Sequence, residues 1–224
     1  MTNDEITVVP MGCNCFPRVS AVALGLKPRK NQGELSYPFD LGIWPIPMVR
    51  FLIENDFEGM TDPANLFVRP DPFGQPILCD KRFPSCSYNH EMPPATDIDF
   101  VGDNYARFVE RYNRRIQNFR TTLAAKKRVL LYMTATNLLP PPYNPFAYED
   151  FHAIVQTLKT RYPNTQFRLL VVIERLQFSI PDSWNNEIYT INIPVIGPYT
   201  LCFPYIQAVL GIRCVFQSIF SSYR

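Results

Sequence analysis

The residues with the clearest capacity for chemistry are two cysteines one residue apart, Cys13 and Cys15, in the segment Gly-Cys-Asn-Cys. Redox and zinc-binding pairs are separated by two residues, and no second cysteine or histidine pair accompanies this one, so the spacing argues against both. A cysteine can also act as a nucleophile when a base assists its thiol. Cys15 lies nearer to the start of the following predicted helix, which makes it the better candidate.

A histidine would be the expected base for such a thiol, and the chain has only two, His90 and His152. His152 falls in the middle of a predicted helix, beside an apolar stripe, and we interpret it as a surface or half-buried helix residue. His90 follows a short predicted strand and precedes the rigid segment Glu-Met-Pro-Pro. This is a better position for a catalytic base, although a lone histidine is more often structural.

Asp40 is the carboxylate that could orient the imidazole of His90, as the third member of a catalytic triad does. It ends the segment Tyr-Pro-Phe-Asp, in which Pro38 restricts the backbone and Phe39 can be buried. The alternative is an aspartate that caps a helix or a turn, and the residue taken alone favours that interpretation.

A strand, a sharp turn and a helix are predicted to hold the two cysteines. Residues 6–9 suit a buried strand, Gly12 can take a positive φ at the turn, and Pro17 suits the start of a helix. Unpaired N–H groups at a helix start stabilise a thiolate. We therefore expect the pKa of Cys15 to lie below the ordinary thiol value of ~8.5.

The rest of the chain alternates between helices and strands. Helices are predicted at 46–57, 99–125, 146–162 and 199–222, the last broken near Pro204 and Gly211, and strands at 128–133, 167–173 and 187–193. This alternation predicts an α/β fold, a three-layer α/β/α sandwich with a mostly parallel sheet and the cysteine turn at its carboxyl edge. We interpret residues 1–224 as a single domain, with a Pro-rich loop or hairpin insertion at 59–97.

Composition narrows the classes of function. A net charge of +2 gives no case for nucleic-acid binding. No apolar run approaches the ~18 residues of a membrane span, and the acidic N-terminus has no signal-peptide pattern. We expect a reduced, cytoplasmic protein without a metal or other cofactor, and the oligomeric state stays open. The other cysteines have apolar surroundings and are expected in the core: Cys79, Cys86, Cys202 and Cys214.

Several motifs, taken in order, resemble the DUF1796 family, which is described as papain-like cysteine peptidases. They are Gly12-Cys13-Asn14-Cys15, Leu24-Gly25-Leu26, Pro38-Phe39-Asp40, Tyr88-Asn89-His90-Glu91, Tyr112-Asn113-Arg114-Arg115-Ile116 and Val129-Leu130-Leu131-Tyr132. Cys13 stands where the family pattern has a small residue. Papain-type enzymes carry the cysteine on a long helix against an antiparallel barrel, whereas the residues here predict a parallel sheet with the cysteine after its first strand.

We interpret the chain as a thiol-dependent hydrolase or acyltransferase acting on an acyl, ester or peptide substrate. In this hypothesis Cys15 attacks a carbonyl, His90 is the base and Asp40 orients His90. N–H groups of the turn, with Asn14 and Phe16, stabilise the oxyanion or bind the substrate.

The roles of Arg114 and Arg115, and the class of function, each have an alternative. Arg114 and Arg115 could bind an anionic part of the substrate, or they could belong to a solvated helix face, which is the commoner arrangement. The alternative function is that of a non-catalytic binding or assembly protein with the same α/β fold.

Overall fold

The computed structural model describes residues 6–71, 74–88, 91, 101–136, 146–174, 187–193 and 203–223. The strands in these ranges are β1 (Ile6–Gly12), β2 (Leu66–Pro70), β3 (Pro76–Asp80), β4 (Arg128–Thr136), β5 (Gln166–Glu174) and β6 (Ile188–Ile193). The α-helices are α1 (Phe16–Ala23), α2 (Ile46–Glu54), α3 (Ala106–Ala125), α4 (Tyr148–Arg161) and α5 (Phe203–Ser222). The predicted alternation of strands and helices is confirmed.

A four-stranded parallel sheet forms the centre of the fold, with the strand order β1-β4-β5-β6. β1 pairs with β4 from Ile6↔Arg128 to Gly12↔Thr134. The predicted parallel arrangement of β1, β4 and β5 is confirmed. These strands are apolar on both faces because helices cover both sides of the sheet.

The alternation of side chains along β4 divides the core into two clusters, since successive residues of a strand face opposite sides of the sheet. Leu131 and Met133 belong to the larger cluster, together with apolar residues of α2, α3 and α4. Leu130 and Tyr132 belong to the smaller cluster, with residues of α1 and α5. The three-layer α/β/α sandwich is therefore confirmed.

β2 and β3 form an antiparallel hairpin outside the central sheet. The hairpin lies in the segment 59–97, where loop or hairpin pieces were expected. The status of this segment as an insertion in a single domain 1–224 stays a prediction.

Several helices differ from their predicted bounds, and α2 ends at Glu54 rather than at 57. The apolar periodicity predicts that the third helix starts at 99, but α3 starts at Ala106, after Asn104 and Tyr105 with φ values of 51° and 63°. A left-handed backbone cannot continue a right-handed helix. α5 runs through Gly211 without the predicted break, and its proline, Pro204, lies in the first turn, where no intrahelical N–H bond is lost.

Candidate active site at the first strand–helix turn

The turn between β1 and α1 starts with Gly12, at a position that only glycine fits. Its φ is +116°, and a Cβ there would lie 2.6 Å from the backbone N and O of Thr134. The next residue, Cys13, donates its N–H to the Thr134 carbonyl at 3.1 Å. The chain therefore turns while still attached to β4, at the carboxyl ends of both strands, where open α/β sheets bind ligands.

Asn14 holds the turn with its side chain. Its Oδ1 accepts hydrogen bonds from the backbone N–H of Phe16 at 3.1 Å and from Thr134 Oγ1 at 2.9 Å. Since Oδ1 accepts both bonds, the amide nitrogen of Asn14 is the group that could donate to an oxyanion. Phe16 is fully buried, and its N–H is already bonded within the turn. The oxyanion or substrate-binding roles of Asn14 and Phe16 stay predictions.

Cys15 is the N-cap residue of α1, and Pro17 lies in the first turn of this helix. The side chain of Cys15 is half-buried, whereas Cys13 is 1% exposed and belongs to the larger core cluster. Of the two thiols, the Cys15 thiol is therefore the one that a substrate can reach. Its role as nucleophile stays a prediction.

The surroundings of Cys15 raise the pKa of its thiol, which is the opposite of our expectation. Burial is the largest cause, and the negative charge of Asp40 adds to it. The backbone N–H of Gly42, which hydrogen-bonds the sulfur, and the positive charge of Arg18 lower the pKa without offsetting burial. The helix start alone would favour a thiolate, but desolvation outweighs it, so the thiol is protonated at neutral pH.

Asp40 is 1% exposed and makes its described contacts through one oxygen. Oδ2 accepts the N–H of Tyr37 at 2.9 Å and lies 3.3 Å from Lys27 Nζ and 3.9 Å from Arg18 Nε. Burial raises the pKa of this carboxyl, and the attraction of Lys27 offsets that only in part. Oδ1 has no hydrogen-bond partner in the part of the chain that the structure describes. Asp40 thus closes a local turn and also offers the oxygen that a triad would use.

The charges around Asp40 form a buried group that joins α1 to the loop 27–40. Arg18 donates to both carboxylate oxygens of Glu34, at 3.1 and 2.8 Å, and Lys27 Nζ lies 3.6 Å from Glu34. Lys27 also donates to the carbonyl of Leu35 at 2.8 Å. Two cations and two anions therefore balance beside Cys15, and the loop that carries Asp40 is fixed against the helix that begins at the thiol.

Gly42 connects Cys15 with the segment that precedes His90. Its N–H hydrogen-bonds the Cys15 sulfur, and the next residue, Ile43, exchanges N–H···O bonds of 2.8 and 3.1 Å with Ser87. A Cβ on Gly42 would lie 2.8 Å from the Ser87 carbonyl oxygen, so the two segments are in direct contact. The sequence analysis did not identify Gly42 as a site residue. The feature that could have indicated it is its position two residues after the Pro-Phe-Asp motif.

His90, the predicted base, lies outside the described residues. Its neighbour in the sequence, Glu91, is described and is completely buried. The carboxylate of Glu91 accepts a hydrogen bond from Arg111 and lies 2.8 Å from Arg115 Nη1, and both arginines belong to α3. The contact with Arg115 is an ion pair whose angles fall outside those of a hydrogen bond.

Arg114 and Arg115 have different environments. The side chain of Arg114 is 64% exposed and lies 4.0 Å from Glu110, so Arg114 belongs to the solvated face of α3. Arg115 is 8% exposed and lies over the ring of Tyr112, with 4.6 Å between its guanidinium carbon and the ring centre. The expectation that Arg115 shares the solvated face is wrong, because Glu91 packs against this side of the helix. A role in substrate binding stays a prediction for both.

A family model described as "Putative papain-like cysteine peptidase (DUF1796)" matches residues 6–175, from the start of β1 to just past β5. The chain belongs to this family. The match covers Cys15, Asp40 and His90, and it extends beyond the motifs that suggested the resemblance. Searches of curated proteins and of solved structures gave no match.

The remaining cysteines of this family member follow the sequence prediction only in part. Cys79 and Cys86 are buried, as expected, but Cys214 is exposed, so its predicted place in the core is wrong. The buried positions of α5 recur every three to four residues, and position 214 falls between them on the outer side of the helix. Cys202 lies outside the described residues.

His152 is half-buried on α4, as predicted. Across the described ranges, no group of three His, Cys, Asp or Glu side chains is placed to hold a metal ion. None of the helices in these ranges is long and apolar enough to cross a membrane.

Proposed function

We propose that this protein is a thiol-dependent acyl hydrolase or acyltransferase that acts on a peptide, an ester or another acyl compound. Cys15 is the nucleophile, His90 is the general base and Asp40 orients His90. Membership of a family described as papain-like cysteine peptidases supports this chemistry.

The contact of Gly42 with both Cys15 and Ser87 is the observation that carries the proposal. Ser87 precedes His90 by three residues, which can span at most ~11 Å. This short separation in the sequence supports His90, of the two histidines, as the base for Cys15. Oδ1 of Asp40, which has no hydrogen-bond partner among the described residues, could accept an imidazole N–H, and the charge of Asp40 acts on the same thiol.

The raised pKa of Cys15 defines what the base must do. The thiol carries its proton at neutral pH, so His90 takes that proton as the sulfur attacks the carbonyl carbon. His90 then returns the proton to the leaving group as the C–N or C–O bond breaks, and the acyl group remains on Cys15 as a thioester. Water, deprotonated by His90, hydrolyses the thioester, and a different acceptor gives acyl transfer. The amide of Asn14 and the turn's backbone N–H groups stabilise the oxyanion.

A non-catalytic binding or assembly protein is the second candidate, and the same raised pKa favours it. A buried, protonated thiol is a weak nucleophile unless a base assists it. In this candidate, the hydrogen bond between Gly42 and Cys15 only holds the turn against the neighbouring segment.

We propose that the protein is located in the cytoplasm. The cysteines in the described ranges, at positions 13, 15, 79, 86 and 214, are all free. Disulfides are rare in cytosolic proteins, where thiols stay reduced.

Covalent labelling with a carbonyl-containing thiol probe, a peptidyl acyloxymethyl ketone, tests the proposal. All variants carry Cys214→Ser, which removes the exposed thiol. Mass spectrometry should find the probe on Cys15, and labelling should be lost in Cys15→Ala but retained in the matched variant Cys13→Ala. Labelling of Cys15→Ala at the original rate would overturn the proposal.

A second comparison separates the two candidate functions. His90→Ala should reduce the rate of Cys15 labelling by about 10²-fold or more, while its unfolding temperature stays close to that of the parent. An unchanged rate in folded His90→Ala would favour the binding protein, because Cys15 would then have no base.

A further inference from the structure

The buried carboxylate of Glu91 is the strongest feature that the proposed reaction does not yet use. Glu91 is 0% exposed, and its two oxygens contact two different cations of α3, Arg111 and Arg115. Arg115 is itself 8% exposed and stacks on the buried ring of Tyr112. The charged groups of Glu91, Arg111 and Arg115 therefore lie at the edge of the aromatic core, a region where apolar side chains are usually found.

Stability alone explains such a group poorly. Taking ions out of water costs free energy that their attraction often only repays, and well-packed apolar replacements are commonly as stable. An ion pair of fixed geometry can, however, hold the chain segment that carries one of its residues in a defined position. Here the carboxylate belongs to the residue directly after His90, and its two partners lie one turn apart on α3.

The backbone on the other side of His90 is held as well. Tyr88 is fully buried and its N–H donates to the Leu78 carbonyl at 2.8 Å. The N–H of Glu91 donates to the Tyr88 carbonyl at 3.0 Å. The residues on both sides of positions 89–90 are thus tied to the hairpin and to each other, and the Glu91 side chain adds the attachment to α3.

The charges also connect this attachment with the thiol. Arg115 interacts electrostatically with Asp40 as well as with Glu91. Asp40 in turn interacts with Cys15, next to the hydrogen bond from Gly42. Arg115 and Cys15 therefore both lie within electrostatic range of Asp40.

We propose that Glu91 is a positioning residue, which uses its ion pairs with Arg111 and Arg115 to set His90 against Asp40 and Cys15. This inference rests on the proposed function, since it requires that His90 is the base. Glu91 does not touch the substrate, and its loss should disturb the base without removing it.

The test is the pH dependence of Cys15 labelling by the acyloxymethyl ketone, measured in the Cys214→Ser protein and in Glu91→Gln. Glutamine keeps the size and the backbone bond to Tyr88 but removes the charge that pairs with the arginines. We expect labelling of folded Glu91→Gln to be at least tenfold slower near neutral pH, with a pH profile displaced toward that of His90→Ala. Glu110→Gln is the matched control, because Glu110 lies on the solvated face of α3 with its side chain 77% exposed, and it should label at the parent rate.

Arg111→Lys keeps the experiment decisive if Glu91→Gln does not fold. The Arg111 side chain is 24% exposed, so this conservative change is better tolerated. Lysine keeps the positive charge but lacks the planar guanidinium group of arginine. It should slow labelling in the same direction, by a smaller factor. A purely structural role would lower the unfolding temperature of these variants and leave the rate and pH profile of the folded protein unchanged, which would overturn the inference.

His90→Ala distinguishes this failure from a failure of the proposed function. If His90→Ala slows labelling while folded Glu91→Gln and Arg111→Lys match the parent, the positioning role is wrong and the proposed function stands. If His90→Ala itself labels at the parent rate, the proposed function is wrong, and the positioning role is wrong with it.

Discussion

Replacing Gly12 by alanine should destabilise the protein far more than the same change at another glycine with positive φ. Alanine at φ +116° costs roughly 1–3 kcal/mol in backbone strain. Its Cβ would lie 2.6 Å from the backbone N and O of Thr134, about 0.8 Å short of the 3.4 Å at which ordinary contact begins. Neither atom can rotate away, because both belong to β4. Relieving the overlap costs a further ~1–3 kcal/mol and weakens the bond from Cys13 to Thr134, worth ~1 kcal/mol.

The expected loss is therefore about 3–7 kcal/mol. The middle of this range corresponds to roughly 10–20 °C in unfolding temperature for a chain of this size. Gly25→Ala and Gly33→Ala are matched controls, since their φ values are +71° and +81° and no atom lies within 4 Å of the added Cβ. Each should cost only about 1–2 kcal/mol. Urea and thermal unfolding followed by circular dichroism measure all three. Equal losses at Gly12 and Gly25 would refute the geometry assigned to the turn.

Two further predictions concern the charges beside the thiol. Burial raises the pKa of Asp40, so its contribution to stability is complete below the unfolded pKa of ~3.9 and is lost as the pH rises through the folded value. The unfolding free energy of wild type minus that of Asp40→Asn should therefore decrease in urea titrations as the pH rises from about 4, and an increase would contradict the assignment. Asp40→Asn and Arg18→Gln should shift the pH midpoint of Cys15 alkylation by iodoacetamide in opposite directions, because Asp40 raises the thiol pKa and Arg18 lowers it. Asp40→Asn should move the midpoint down and Arg18→Gln should move it up, and shifts of the same sign would show that these charges do not act on Cys15.

The strand, turn and helix around Cys15 could be predicted because each part depends on neighbours in the sequence. Apolar residues of β1 predict a strand, Gly12 permits the turn, and Pro17 fits the first turn of α1. The parallel sheet could be predicted for a related reason, since apolar strands separated by helices pair in parallel. The start of α3 could not, because Tyr105 adopts a left-handed backbone that its residue type rarely takes, directly after Asn104, whose type takes it more readily.

The same distinction between local sequence and tertiary contacts applies to the candidate site. The sequence by itself selected the half-buried Cys15 over Cys13, through its place at the start of a helix. It could not distinguish Arg114 from Arg115, which are adjacent residues of the same type. Only the packing of Glu91 against α3 buries one arginine and leaves the other solvated.

The protonation state of the thiol was decided by the tertiary structure alone. The position of Cys15 at the helix start predicts a lowered pKa, an expectation that depends only on neighbours in the sequence. Burial overrides it. Two of the other contributions come from Gly42 and Asp40, more than twenty residues away in the chain, and Arg18 of the same helix supplies the third. Helix starts and turns depend on residues next to one another in the chain. Desolvation and ion pairing depend on every group that folding brings near, which is why the chemistry of Cys15 required the folded structure.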